Sequence, residues 1–143
     1  MVNRNISQNI DTVVALKPQT ISTSTTTSGP AIDLRGYDSA MIHFIGNITD
    51  GTYTPLIEES ATGSFGGEEN AVADADLEGT EAAAALSTDT DKVVDSKIGY
   101  KGTKRYIRAR LVSTSVATTG GILAASAILG NPANAPVTND GDV

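Results

Sequence analysis

The sequence predicts an all-β protein, an antiparallel β-sandwich of the jelly-roll type with about eight strands. Thirty of its 143 residues are Ser or Thr, and they cluster with β-branched residues in short runs between Gly, Pro, Asn and Asp, a pattern typical of strands joined by turns. The spacing of the runs favours a two-sheet sandwich, with an immunoglobulin-like sandwich as the second choice. The length is that of one ordinary domain.

Eight segments are predicted as strands. Turn signals such as Ser28-Gly29-Pro30 and Asp50-Gly51 separate them. The first segment is expected to end at Lys17-Pro18, because proline cannot donate to a β-ladder and restricts the residue before it. The segments are 10–16, 19–26, 31–34, 39–47, 52–60, 93–100, 104–114 and 121–129.

Two of these strands are apolar on both faces. In 39–47, Ile42 and Phe44 alternate with Met41 and Ile45, which predicts a central strand of its sheet. The segment 121–129 is either a central strand or one covered by a partner protein. The strand 52–60 is expected to form a hairpin with 39–47, and its Pro55 implies a bulge or an edge position.

The segment 58–91 contains ten acidic residues and no Lys or Arg. We predict a long acidic surface loop that carries a short helix from Glu81 to Leu86, since this stretch is rich in alanine. Seven of the ten basic residues follow at once, between Lys92 and Arg110. The acidic and basic segments are therefore expected to meet in the fold.

The predicted organisation is a sandwich domain at 10–130 between two arms. The polar residues 1–9 form an N-terminal arm, and residues 131–143, which contain two prolines and no periodicity, form an extended C-terminal arm. The start of the chain lacks the apolar core of a signal peptide, and the longest apolar run is too short to span a bilayer. We therefore expect a soluble protein that is made in a cytoplasm.

The composition argues against catalysis. The chain has no cysteine and one histidine, His43, and no nucleophile elbow, phosphate loop or dinucleotide motif. A net charge of −7 argues against binding to nucleic acid or to an anionic membrane. We expect no enzyme activity, no cofactor and no metal. Asp74, Asp76 and Glu78 could offer oxygens to calcium, but they lack the spacing of a calcium loop.

The segment 104–114 contains the most informative strand pattern. Alternation sends Ile107, Ala109 and Leu111 to the core, and it places Tyr106, Arg108, Arg110 and Val112 on the opposite face. The two guanidinium groups either pair with the acidic segment of the same chain, which we favour, or contact carboxylates of another subunit. The candidate partner-contact residues are Tyr106, Arg108, Arg110, Met41 and His43.

Three stretches of the sequence, 19–40, 72–79 and 98–108, resemble a family of tailed-bacteriophage head proteins that decorate or cement the capsid. The similarity spans most of residues 10–130. It implies a non-enzymatic virion protein on the outer surface of an icosahedral capsid, made in the cytoplasm of a host bacterium. The protein would bind several subunits of the major capsid protein at once, and it would be a homodimer.

Two other functions remain open at the level of the sequence. The first is a carbohydrate-binding sandwich, calcium-dependent through Asp74, Asp76 and Glu78, although the chain has few aromatic residues to stack on sugars. The second is a component of a phage tail or fibre tip with the same fold.

Overall fold

The protein contains eleven strands and two short 3₁₀ turns in a computed structural model that describes residues 6–65, 70–87 and 93–137. All strand pairs within these residues are antiparallel, so the predicted all-β sandwich is confirmed. The strands are β1 (Ile10–Ile21), β2 (Thr26–Ser28), β3 (Ile32–Asp33), β4 (Tyr37–Ile48), β5 (Thr52–Ser60), β6 (Asn70–Ala71), β7 (Leu77–Glu78), β8 (Leu86–Ser87), β9 (Val93–Tyr100), β10 (Tyr106–Thr114) and β11 (Gly121–Pro132).

The strands form two sheets with jelly-roll topology. The five-stranded sheet has the order β1-β11-β4-β9-β7, and the second sheet has the order β2-β10-β5-β6, with β3 paired to β10 and β8 paired to β5. The predicted hairpin between 39–47 and 52–60 is therefore wrong, because the turn at Asp50-Gly51 carries the chain from one sheet to the other and β5 pairs with β10. If the short strands β3, β7 and β8 are left out, each sheet has four strands, in the orders β1-β11-β4-β9 and β2-β10-β5-β6. Most neighbouring strands are distant in the chain, as in an eight-stranded jelly roll. The immunoglobulin-like alternative therefore does not describe this chain.

The core lies between the two sheets and is built from alternate residues of the long strands. β4 lies in the middle of its sheet, as predicted, with Ile42 opposite Ala127 of β11 and Ile98 of β9. In β10, Ile107, Ala109 and Leu111 are fully buried, as predicted. With so few aromatic residues, most of the core volume comes from Ile and Leu, and the largest fully buried side chains are Tyr53 and Phe44.

The predicted break at Lys17-Pro18 is wrong. β1 continues through it to Ile21, and the pairing with β11 shifts register between Leu16 and Gln19. This irregularity accommodates Pro18, which has no backbone N–H to donate. β1 is an edge strand, and at the bulge no hydrogen bond from this position to β11 is required. The predicted strand 19–26 is consequently divided between the end of β1 and the first residue of β2.

The predicted helix from Glu81 to Leu86 is also wrong. One helical hydrogen bond forms, from the Ala84 N–H to the Thr80 carbonyl, and Leu86 then enters β8 beside Tyr53 of β5. The helical propensity of alanine is weak compared with the burial of Ala84 and Leu86 in the core. The acidic loop instead contains a 3₁₀ turn, Asp74–Asp76.

The acidic loop protects the outer edge of β5. β8 pairs with one end of this edge and β6 with the other, while Pro55 lies between them and has no N–H to satisfy, in agreement with its predicted edge position. The Ile57 N–H donates to Glu81 Oε1 at 2.7 Å. Burial raises the pKa of the Glu81 carboxyl.

The ends of the described chain meet beside the sheet. The Val137 N–H donates to the Gln8 carbonyl, and the Ala133 N–H donates to the Gly36 carbonyl. The limits of the two arms, 1–9 and 131–143, remain a prediction. No helix within the described residues is long and apolar enough to cross a membrane.

Asp50 joins two turns at one end of the sandwich. Its carboxylate accepts the backbone N–H groups of Thr118, Thr119 and Gly120 at 2.8–3.1 Å, and these hydrogen bonds lower its pKa to about 2. Gly120 has a φ of +65°, and a Cβ there would lie 1.9 Å from the Ile21 carbonyl oxygen. Only glycine fits this turn.

We predict that Asp50→Asn destabilises the protein at neutral pH and that the difference from wild type shrinks on acidification. Because folding lowers the pKa of this carboxyl from 3.8 to about 2, its stabilisation is complete above about pH 4 and is lost as the pH falls toward 2. Thermal melts of both proteins from pH 7 to pH 2 measure the gap. The control Asp38→Asn removes the same charge without these hydrogen bonds. A gap that stays constant down to pH 2 would contradict the prediction.

Candidate protein-contact surfaces

The outer face of the five-stranded sheet exposes apolar side chains of β1, β4 and β11 on both sides of a polar pair, His43 and Ser126. Ile122, Val14 and Ile45 are 59%, 52% and 45% exposed, and the half-buried Met41 and Ile128 lie opposite each other on β4 and β11. We call this surface the apolar face (Val14, Met41, Ile45, Ile122, Ala124, Ile128). Single exposed apolar residues are common, whereas a contiguous group on one sheet usually marks an interaction surface.

The apolar face contains a hollow of about 250 Å³ near one end of β4. Ile45 and Ile122 form its walls, and Ala124, the neighbour of Ile45 across the strands, leaves space between them. Gly46 lies on the core side of β4, where a Cβ would be 2.9 Å from Cγ of the buried Leu123. The face therefore combines protruding isoleucines with a cavity of similar chemistry.

Met41 and His43, two of the predicted contact residues, lie on this face. His43 is opposite Ser126 of β11 and Lys97 of β9, and its Nε2 is 3.2 Å from Asp95 Oδ2. Asp95 and Lys97 are exposed and form a charged rim along β9. The contact role of Met41 and His43 remains a prediction.

Tyr106, Arg108 and Arg110 lie on the outer face of the other sheet, so the five predicted contact residues fall on opposite sides of the molecule. Arg108 Nε and Arg110 Nη1 each donate to one oxygen of Glu58 at 2.5 Å. The Glu58 side chain is only 5% exposed. The guanidinium groups thus pair with the first residue of the acidic segment of the same chain, as we favoured from the sequence.

We call Arg108, Arg110 and Glu58 the arginine cluster. Residues that follow β5 cover it. The Arg108 guanidinium lies 4.6 Å from the centre of the Phe65 ring, and that of Arg105 lies 4.7 Å from the centre of the Tyr106 ring. The side chains of Arg108 and Arg110 are 16% and 25% exposed. Both guanidinium groups are therefore largely enclosed by the molecule, although Arg110 Nε is buried without a hydrogen-bond partner among the described residues.

A basic groove of about 360 Å³, which sequence reasoning missed, lies at one end of the sandwich. Two loops form it, one between β3 and β4 and the other between β9 and β10. We define the basic groove by the cations that line it, which are Arg35, Lys101, Lys104 and Arg105, together with Asp38 and the apolar or aromatic residues Leu34, Tyr37 and Tyr100. The clustering of basic residues after position 91 was the available signal, but it could not place Arg35 beside them.

The carboxylates considered for calcium are not gathered into a site. Within the described ranges, no group of three or more Asp, Glu or His side chains is arranged to hold a metal ion. Asp74 and Asp76 belong to the 3₁₀ turn, whereas Glu78 is in β7 and its side chain lies against Gly99. The geometry therefore gives no support to calcium-dependent sugar binding through these residues.

The fold and these surfaces define a jelly-roll protein with an exposed apolar face and a basic groove. No protein-family model matches the chain, and no curated protein matches it either. Among solved structures it is similar to the PBSX exported protein XepA, with a TM-score of 0.53 and 16% identity over 99% of this chain and 44% of that one. It is also similar to a protein in the structure of infectious bursal disease virus Gx strain, with a TM-score of 0.53 and 11% identity over 87% of this chain and 32% of that one.

These similarities show a shared fold. The chain spans less than half of the length of either protein. The same sandwich thus occurs in a PBSX exported protein and in a virus particle, with very little sequence in common.

We predict that Glu58→Ala destabilises the protein by about 3 kcal/mol, because it leaves two partly buried guanidinium groups without their shared carboxylate. Urea unfolding followed by circular dichroism measures the loss. The control Asp33→Ala removes the bidentate partner of Arg105, an exposed pair, and its effect should be much smaller. Equal losses in the two variants would show that the Glu58 cluster contributes no more than a surface ion pair.

Proposed function

We propose that this protein is a structural virion protein that decorates the outside of an icosahedral phage capsid and cements it by bridging neighbouring subunits of the major capsid protein. The resemblance of its sequence to phage decoration and cement proteins supports this function, as does the jelly-roll fold. The observation that carries the proposal is the apolar face, since a group of exposed apolar side chains on one sheet usually marks a site of contact with another protein.

The charge of the chain supports a position on the outer surface. With a net charge of −7, the protein would be repelled by packaged DNA on the inside of a shell. On the outside it meets only protein and solvent.

We propose further that the protein is a homodimer and that its apolar face is the dimer interface. In a two-fold interface each subunit contributes the same patch, so the shape and chemistry of that patch must be complementary to a second copy of itself. The apolar face meets this requirement because it has both protruding isoleucines, Ile45 and Ile122, and an apolar hollow between them.

The size of the face supports the same assignment. At the usual strand spacing and rise, the three twelve-residue strands β1, β4 and β11, which carry the apolar face, together cover about 600 Å², which is of the order of the ~800 Å² per partner in a standard interface. A dimer built in this way presents two copies of every other surface, so it can hold two capsid subunits at once.

We also propose that the protein acts without turnover. Its one histidine, His43, forms the pair with Asp95 described above, and the two side chains are 35% and 70% exposed. A general base works best where water is excluded and a substrate is held in place. This pair lies on an open sheet surface and is better suited to a contact at the rim of an interface.

We expect purified protein to bind phage heads that lack it and to raise the temperature at which these heads break open. Many weak contacts made at once across neighbouring subunits give this stabilisation. Electron microscopy of the same heads should place the added density on their exterior. Heads that break at the same temperature with and without the protein, or density inside the shell, would contradict the proposal.

We expect wild-type protein to sediment as a dimer and Ile122→Glu to sediment as a monomer, because the substitution places a charge in the middle of the apolar face. Analytical ultracentrifugation at micromolar concentrations measures both. The matched control is Ile6→Glu, at an isoleucine that is 68% exposed and outside this face, and it should remain dimeric. A monomeric wild type, or a dimeric Ile122→Glu, would remove the apolar face as the dimer interface.

A further inference from the structure

The basic groove differs in charge from the rest of the molecule. Its lining holds four cationic side chains and one acidic one, Asp38, whereas the whole chain has a net charge of −7. Arg105 is bound by Asp33 through two hydrogen bonds. Within the described part of the chain, the side chains of Arg35, Lys101 and Lys104 form no ion pair with a carboxylate. The Asp33 carboxylate does accept the Arg35 backbone N–H, at 3.0 Å.

The groove is built on anchored backbone. The Lys101 N–H donates to the Asp76 carbonyl at 2.7 Å, and the Leu34 N–H donates to the Arg105 carbonyl at 2.8 Å. These bonds attach the loop between β9 and β10 to the 3₁₀ turn of the acidic loop and to Leu34, the residue that follows β3. Because the walls are already ordered, a ligand would not lose affinity by having to order them.

Tyr100 forms a rigid base for the second loop. Its hydroxyl donates to Glu59 Oε2 at 2.6 Å and accepts the Lys104 N–H at 3.0 Å. Burial raises the pKa of this hydroxyl above its usual value. Gly102 packs directly on the ring, where a Cβ would lie 2.4 Å from the hydroxyl oxygen. The positions of Lys101 and Lys104 are thus set by a buried contact, even though their side chains reach solvent.

We propose that the basic groove binds an acidic peptide segment of a partner protein, which, if the proposed function is right, is an exposed segment of the major capsid protein. A volume of about 360 Å³ is at the lower end of the usual range for binding pockets and holds a few side chains. Cations at separate positions of the groove suit carboxylates that are spread along a peptide. Leu34, Tyr37 and Tyr100 would contact the apolar residues between those carboxylates. Asp38 in the same lining disfavours a compact, highly charged group such as a triphosphate.

The position of the groove is compatible with the proposed dimer. Ser39 and Ala40, at the start of β4, line the groove, whereas Ile45 and Asn47, near its end, line the apolar hollow. Six residues of an extended strand separate them, a distance of about 20 Å. A partner can therefore occupy the groove while a second copy covers the hollow, although Met41, at the near edge of the apolar face, directly follows Ala40 of the groove.

The direct test is the binding of fluorescein-labelled decaglutamate, followed by fluorescence anisotropy at low salt. We expect wild-type protein to bind the peptide and Lys101→Glu/Lys104→Glu to bind it at least tenfold more weakly. The control Lys17→Glu/Lys97→Glu changes the net charge equally at exposed lysines outside the groove and should change the affinity less than threefold. If both double variants lose the same affinity, or wild type does not bind, the groove is not a peptide site.

Two competition experiments identify the chemical class of the ligand. Tripolyphosphate and a single-stranded DNA decamer are used as competitors, and we expect both to compete less well than unlabelled decaglutamate. If either one competes better, the groove is a phosphate or nucleic-acid site and the proposal is wrong. Should the double charge reversal lower the melting temperature, Lys101→Gln/Lys104→Gln repeats the measurement with a milder change.

Binding to phage heads separates this inference from the proposed function. Failure of wild-type protein to bind heads would contradict the cement function. Binding of the groove variant as tight as that of wild-type protein would leave the cement function intact and overturn the role of the groove.

Discussion

The alternation of side chains along the strands is the constraint on which the rest of this structure depends. A sandwich needs one apolar face per sheet, and β10 meets that need with Ile107, Ala109 and Leu111 inward and charged residues outward. β4 and β11 exceed it, since both are apolar on their outer sides as well. Those outer side chains do not contribute to the core between the sheets. Such exposed apolar side chains are typical of interaction surfaces, and under the proposed function another protein would cover them.

The alternation of apolar and polar residues in the sequence was sufficient to predict those strands in which every second side chain is buried. The central position of β4, the core side of β10 and the pairing of its arginines with the acidic segment all follow from alternation and charge. The pattern failed where tertiary contacts decide the conformation. At Pro18 an edge position and a register shift allow a strand to continue, and at Ala84 burial against the core outweighs helix propensity.

The basic groove could not be predicted from the sequence, for a geometric reason. Arg35 and Lys101 are separated by 65 positions in the chain, and they become neighbours only because β4 and β9 pair with Ala40 opposite Tyr100. The sequence contains the cluster of cations, but the sheet register decides which of them face one cavity. The arginines at 108 and 110, for which the sequence favoured pairing with the acidic segment, are bound by the buried Glu58, whereas Lys101 and Lys104 form no ion pair among the described residues.

The acidic loop explains how a negatively charged chain keeps a positively charged site. Its carboxylates are used at specific places: Glu58 in the arginine cluster, Glu59 on Tyr100 and Glu81 on the Ile57 N–H. Glu58 and Glu81 are thus held on the second sheet by these contacts, whereas Glu59 lies beneath the groove, on the Tyr100 hydroxyl that also accepts the Lys104 N–H. At physiological ionic strength, interactions between exposed charges fade over about 8 Å, so the groove responds to its own lining more than to the net charge. A protein of this kind can resist non-specific contact with nucleic acid and still recognise an acidic segment, and pairing two such grooves in one dimer would turn a weak local attraction into a firm attachment between neighbouring subunits.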